Sequence, residues 1–161
     1  MAVVGTALLA VFFAWPSLTW PAIKARIARE FPKVRSISTA DLAKSQDKPV
    51  LLDVRTAAEF EVSHLSGAQR VDPDASSVAL PKDTPIVTYC SVGYRSARLA
   101  QRLQEAGFTN VRNLQGSIFQ WANEGRPIEN ARGPSEKVHP YDKKWGALLD
   151  ASRRASVPDA K

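Results

Sequence analysis

A chain of 161 residues, 44% hydrophobic and 24% charged, is long enough for one domain with a real core and short for two. Its single cysteine, Cys90, excludes an internal disulfide and a multi-cysteine metal site, and two histidines, His64 and His139, add little toward zinc. The net charge of +6 sits at the ends: residues 1–34 and 126–161 each carry +3, and residues 35–125 are balanced. A nucleic-acid binder concentrates basic groups on a folded face with aromatic partners, so none is expected. Basic ends beside an apolar segment fit an anionic membrane surface, or simply keep the ends soluble.

Residues 1–23 carry no charged side chain, and the run from Ala2 to Trp15 is strongly apolar. With Lys24, Arg26, Arg29 and Lys33 following, the segment reads as an uncleaved apolar N-terminal helix that anchors the chain, with the domain on the cytoplasmic side. A signal peptide and a helix docked on a partner are the competing readings. Residues 24–33 read as a basic helical linker, the helical pattern spanning 22–31 and closed by Phe31-Pro32.

From Val34 the pattern alternates. Val34–Ile37 is an edge-strand pattern. Ser38-x-x-Asp41 and Thr56-x-x-Glu59 are capping boxes that open two short helices. Between them, Pro49–Val54 is a strand buried on both faces. Ala68–Val71 and Thr84–Tyr89 read as further strands, the latter running straight into Cys90. Residues 95–106 form an amphipathic helix with Leu99, Ala100, Leu103 and Ala106 inward and Gly107 as terminator. Phe108–Leu114 is a strand and Gly116–Asn123 a helix. Strands alternating with helices imply an α/β domain with a mainly parallel sheet, in which ligands bind beyond the carboxyl ends of the strands. Residues 34–128 form the domain. Residues 129–161 are a C-terminal extension, expected to cover an apolar patch through Tyr141, Trp145, Leu148 and Leu149 and to end in a mobile tail at 151–161.

A lone cysteine is commonly a small buried hydrophobe. Cys90-Ser91-Val92-Gly93-Tyr94-Arg95-Ser96 lies between a buried strand and a helix, which argues otherwise. Unpaired amides at a helix start, with a loop curled over them, form an anion cradle. A thiol placed there loses its proton more readily. Gly93 permits the positive φ a tight loop needs, Arg95 adds a permanent cation, and Ser96 can cap the helix. Such a cysteine can attack a sulfane sulfur and hold it as Cys–S–S⁻ in two half-reactions, without a His or Asp base.

This loop resembles the C-x-x-G-x-R-S active loop of rhodanese-like sulfurtransferases. Leu51-Leu-Asp-Val-Arg-Thr-Ala-Ala-Glu-Phe60, Ser63-His64-Leu65-Ser66-Gly67-Ala68, and Asn110-Val-Arg-Asn-Leu-Gln-Gly116 with Trp121 and Gly125-Arg-Pro127 are similar to three further blocks of that family, in the same order over residues 35–128. The resemblance implies a central, mainly parallel five-stranded sheet flanked by helices. It implies Cys90 as the persulfide-bearing nucleophile, Ser91, Val92, Gly93, Tyr94, Arg95 and Ser96 as the substrate cradle with Arg95 on the oxyanion, and Asp53 and Arg55 as supports of the loop. His64 is expected to serve packing rather than proton transfer. The implied partners are a small sulfur donor, thiosulfate or a persulfide, and a thiophilic acceptor; no metal or cofactor is implied, and oligomeric state stays open. Ser63, Ser66 and Ser117 depart from the family's usual Gly, Pro and second Gly, none expected to touch the cysteine loop. The alternatives are a non-catalytic interaction module, a redox sensor, and a phosphatase or arsenate-reductase activity, whose relatives resemble C-x5-R where this chain has four residues between Cys90 and Arg95.

Overall fold

The computed structural model describes residues 18–75 and 78–156. Five strands, β1 (Arg35–Ile37), β2 (Val50–Asp53), β3 (Gln69–Arg70), β4 (Ile86–Tyr89) and β5 (Val111–Leu114), form one sheet in the order β1-β5-β4-β2-β3. Every pairing in it is parallel. The expected edge strand is indeed β1. Around the sheet lie α1 (Trp20–Glu30), α2 (Thr39–Lys44), α3 (Ala57–Val62), α4 (Tyr94–Glu105) and α5 (Ser117–Asn123).

The central strand β4 is buried at all four positions. Its side chains alternate between two apolar clusters. Val87 and Tyr89 pack with Ile118, Phe119 and Leu65 on one face. Ile86 packs with Leu99, Leu103 and Phe108 on the other, and Cys90 continues that face. Both faces being covered explains why this strand reads as a continuous apolar run. From β2 the chain moves to one side of the sheet, and from β4 to the other. The loops after β2 and β4 therefore diverge at a topological switch point, where a crevice opens at the strands' carboxyl ends.

The Thr56 capping box forms in full, whereas Ser38 caps α2 from one side only. Ser38 Oγ accepts from the Asp41 amide at 3.0 Å. Thr56 Oγ1 accepts from the Glu59 amide at 3.2 Å, and the Glu59 carboxylate accepts from the Thr56 amide at 3.0 Å.

The N-terminal expectation needs correction. The helix begins at Trp20, inside the run read as an anchor, and it is an 11-residue amphipathic helix carrying Lys24, Arg26 and Arg29. Pro21 falls in its first turn, where the missing amide costs nothing. Ile23 is buried in the core, with Trp20 and Ile27 packed beside it. The stripe at 20, 23 and 27 thus ties α1 to the domain. Among the described residues no helix is long and apolar enough to cross a membrane. The rest of the expected anchor, residues 1–17, lies outside the described residues.

The C-terminal extension is part of the fold, and it contains a hairpin that the sequence pattern does not announce. β6 (Ile128–Asn130) and β7 (Gly133–Ser135) pair antiparallel. Helix α6 (Lys143–Gly146) follows, its Asp142 cap accepting from the Trp145 amide at 2.7 Å. The tail expected at 151–161 is held at its start. Residues Ala151–Arg153 form a 3-10 turn, and Arg154 bridges to Val138 and donates to the Leu149 carbonyl at 2.7 and 3.0 Å. Leu149 is buried in the main core cluster. Leu149→Ala is expected to cost about 2–4 kcal/mol in a single cooperative urea transition. A change below about 0.5 kcal/mol would mean that the extension folds separately.

Candidate active site

Strand β4 ends at Tyr89, and residues 90–93 turn directly into α4. The turn is fastened from outside by α5. The Ile118 and Phe119 amides at its start donate to the Cys90 and Ser91 carbonyls at 3.2 and 3.1 Å. With those carbonyls turned outward, the loop amides are free to face inward. The Gly93 amide donates to Cys90 Sγ at 3.1 Å. Gly93 holds φ +109°, a region that favours glycine.

Cys90 is 1% exposed and borders the apolar cluster beneath the loop, yet its sulfur also accepts the Gly93 amide. Burial alone would push the thiol's pKa up. The Arg95 guanidinium, the Ser96 and Gly93 amides and the Ser96 hydroxyl outweigh it and hold the pKa below the ordinary thiol value. Replacing Arg95 by methionine is expected to move the pH midpoint of iodoacetamide alkylation of Cys90 upward. An unmoved midpoint would remove Arg95 from the account of the thiolate.

Two side chains lock the loop from beneath. Asn113, on β5, donates to the Gly93 carbonyl at 2.9 Å and accepts from Ser96 Oγ at 2.7 Å. Ser117 Oγ accepts from the Cys90 amide at 3.1 Å. This corrects the expectation that the three departures leave the cysteine loop untouched. Ser117 takes φ +48°, a left-handed conformation suited to glycine, and its hydroxyl adds a bond that glycine lacks. Ser66 instead donates to Glu129 at 2.8 Å, and buried Ser63 offers its carbonyl to Arg55.

Across the switch point stands Glu59, which is 2% exposed. Its carboxylate accepts two bonds from Arg95, at 2.7 and 3.1 Å, and one from Ser91 Oγ at 3.0 Å. Burial favours the neutral acid here. The Arg95 guanidinium and the Thr56 amide override it and bring the Glu59 pKa down to about 2. Arg95 also donates to Ser91 Oγ at 3.0 Å, and its guanidinium lies 4.9 Å from the Tyr141 ring centroid. Sequence reasoning gives Glu59 a capping role and a place in the family-like Leu51–Phe60 block, but no bond to the cysteine loop. Its spacing to Arg95 gives no signal of the long-range pair.

The support expected of Asp53 and Arg55 takes another form. The two make a fully buried ion pair at 2.6 Å, and Arg55 also donates to the Ser63 carbonyl at 2.7 Å. These bonds brace the neighbouring loop after β2; Glu59 is what reaches the cysteine loop. His64 is a packing residue: its ring stacks on Phe60 at 3.9 Å, and its backbone pairs with Glu129.

A cavity of about 250 Å³ lies over the cysteine. Its floor and near wall are Cys90, Ser91, Val92, Tyr94 and Arg95. Its outer wall comes from α1, through Ile23 and Arg26, and from the extension, through Tyr141 and Trp145. Among the described residues no cluster of His, Cys, Asp and Glu could hold a metal ion.

A parallel α/β sheet whose central strand runs into a cysteine loop at a helix start, the Gly93 amide donating to the cysteine sulfur, defines a cysteine-loop α/β domain. The chain belongs to the rhodanese-like domain family, whose model matches residues 38–124. It is 35% identical over 92 residues to the probable adenylyltransferase/sulfurtransferase MoeZ of Mycobacterium tuberculosis, covering 54% of this chain but only 24% of that protein. It is also 35% identical over 102 residues to a sulfurtransferase of Allochromatium vinosum, covering 57% of this chain and 88% of that one. A rhodanese-related protein of Thermoplasma volcanium superposes with a TM-score of 0.53 at 28% identity, over 58% of this chain and 96% of that one. The chain therefore matches about a quarter of the Mycobacterium tuberculosis relative and most of the other two proteins.

Proposed function

We propose that this protein is a sulfurtransferase that carries sulfane sulfur on Cys90. The thiolate attacks the outer sulfur of a donor, thiosulfate or a persulfide. The donor's S–S bond breaks, its electron pair leaves with sulfite or with a thiolate, and Cys90 becomes Cys–S–S⁻. A thiophilic acceptor then attacks the outer sulfur and restores the thiolate. Charge balances in both halves, so no oxidant or general base is needed. The observation that carries this reading is the Gly93 amide on Cys90 Sγ in the turn that opens α4.

The phosphatase alternative fits less well. An oxyanion enzyme needs its arginine turned toward the bound anion. Here the Arg95 fork is occupied by Glu59, and the resemblance to C-x5-R lacks one residue.

Incubation with thiosulfate or a persulfide should add one sulfur mass to the protein, removed by cyanide as thiocyanate and absent in Cys90→Ser. No added mass from either donor, or turnover of a phosphate ester, overturns the reading. For the N-terminal run we propose membrane attachment through residues 1–17, supported by their lack of charge and by the basic residues that follow. That stretch sits at the lower limit of about 17 residues for a spanning helix. Fractionation with protease protection tests it.

A further inference from the structure

We infer that the cavity over Cys90 selects a monoanionic organic sulfane donor with an apolar body, a persulfide or thiosulfonate, over a compact dianion such as thiosulfate. Tyr141, Trp145 and Ile23 are the residues that recognise that body. This rests on the sulfurtransferase reading and names its substrate class.

Charge is the first ground. Among the described residues two cations face the cavity, and both are paired. Arg95 gives two bonds to Glu59, and Arg26 is bonded to Glu30 at 2.7 Å. The loop amides gather around one sulfur, which suits a single negative charge. A second charge on the donor would enter a space walled by Ile23, Val92, Tyr141 and Trp145 with no unpaired cation to meet it.

Size is the second ground. About 250 Å³ approaches the lower end, about 300 Å³, of pockets that hold small organic ligands. A five-atom ion leaves most of it empty, whereas a ring or short alkyl chain fills it and buries apolar surface on both sides.

The third ground is where the outer wall comes from. Ile23, Arg26, Tyr141 and Trp145 all lie outside residues 38–124, the span shared with the family. The cover is therefore built from residues on either side of the matched span. The cover is built rather than loose: α1 is seated by Ile23 in the core, and Ile27 Cδ1 lies 3.4 Å from where a Gly93 Cβ would be. Tyr141 is held at φ +68°, its amide donating to His139 Nδ1 at 3.0 Å, and the residue stays 47% exposed at the mouth. A bulky residue kept in that conformation at a cavity rim points to a role for the ring.

The transfer step balances. Cys90 thiolate and R–SO2–S⁻ give Cys90–S–S⁻ and the sulfinate R–SO2⁻, two monoanions on each side. The sulfane sulfur moves between partners without net oxidation.

The test uses the full chain with cyanide as acceptor and three donors: benzenethiosulfonate, methanethiosulfonate and thiosulfate. The first two share a reactive group and differ only in the apolar body. Benzenethiosulfonate is expected to exceed methanethiosulfonate in kcat/KM by about tenfold, with thiosulfate below both. Tyr141→Ala and Trp145→Ala should each shrink the ratio between the two thiosulfonates severalfold. Tyr141 is exposed enough that its removal leaves the fold intact, so a lost ratio there reads recognition. Equal turnover of the two thiosulfonates, or a ratio unmoved by both substitutions, overturns the inference. Calorimetric binding of benzenethiosulfonate to Cys90→Ser separates the two claims. Binding that Tyr141→Ala abolishes, with no donor able to charge Cys90 in the native chain, would uphold the pocket and overturn sulfur transfer. No binding would overturn the pocket.

Discussion

Glu59→Gln is expected to cost about 2–3 kcal/mol of folding stability at neutral pH and to slow sulfur loading of Cys90 by about 100-fold. Glu59 is buried, and its carboxylate joins three things: the Thr56 cap, Ser91 of the cysteine loop, and both arms of Arg95. A neutral amide cannot accept the two charged bonds and leaves Arg95 without its counter-ion. Removing one partner of a fully buried pair costs about 3–5 kcal/mol. The Arg95 side chain is 29% exposed and can recover some hydration, which sets the lower figure. The kinetic loss follows because Ser91 and Arg95 both lose the anchor that positions them beside the sulfur.

The same residue makes a pH prediction. Glu59 has a folded-state pKa depressed from 4.5 to about 2. A depressed carboxylate stabilises the fold fully above its unfolded pKa, and the contribution fades as pH falls toward the folded value. Native stability should therefore decline between about pH 4.5 and pH 2, with Glu59 responsible for about 3 kcal/mol of the decline. Urea unfolding of the native protein and Glu59→Gln at pH 7, 5 and 3 checks this. The gap between them should narrow as the pH drops. A gap of constant width would show that the ion pair is not what Glu59 contributes.

What was legible in the sequence follows the range of the interaction that produced it. The Thr56-x-x-Glu59 box, the apolar stripe of α4 and the buried β4 are local patterns, and each appears where its spacing puts it. The cysteine loop was legible for the same reason: strand, Cys90, glycine and helix are contiguous. The family resemblance then supplied the five-strand sheet, which proves parallel throughout. Glu59 as partner of Arg95 was not legible, since the two lie 36 positions apart and Glu59 already had a local job that explained it. Asn113 and Ser117 hold the loop through strand order, which no residue pattern encodes. A signal existed at Ser117: a polar residue where the related pattern has glycine hinted at a new bond. The start of α1 was misplaced because the Trp20-Ile23-Ile27 stripe adjoins an uncharged run, and composition draws the boundary at the first charge rather than at the helix start. The β6–β7 hairpin is short, and Pro134 within it disguises a strand.

Gly93→Ala is the sharper test of the cradle itself. Gly93 sits at φ +109° and ψ −3°, well outside what an L-residue adopts without strain, and that strain is worth about 1–3 kcal/mol. A Cβ there meets Ile27 Cδ1 and the Leu114 carbonyl oxygen at 3.4 Å and Asn113 Nδ2 at 3.6 Å, contacts that are snug but not prohibitive. Strain therefore dominates over crowding, and the chain relieves it by reducing φ. The amide of this same residue donates to Cys90 Sγ, so any such rotation shifts the bond that helps to hold the thiolate. Stability should fall by about 2 kcal/mol. The pH midpoint for alkylation of Cys90 should rise, and sulfur loading at neutral pH should drop by more than the stability loss explains, since the protein remains folded at 25 °C. The direction matters more than the size: an alanine variant that is less stable yet alkylates along the native pH profile would show that the Gly93 amide is a structural neighbour of the sulfur and no part of what ionises it.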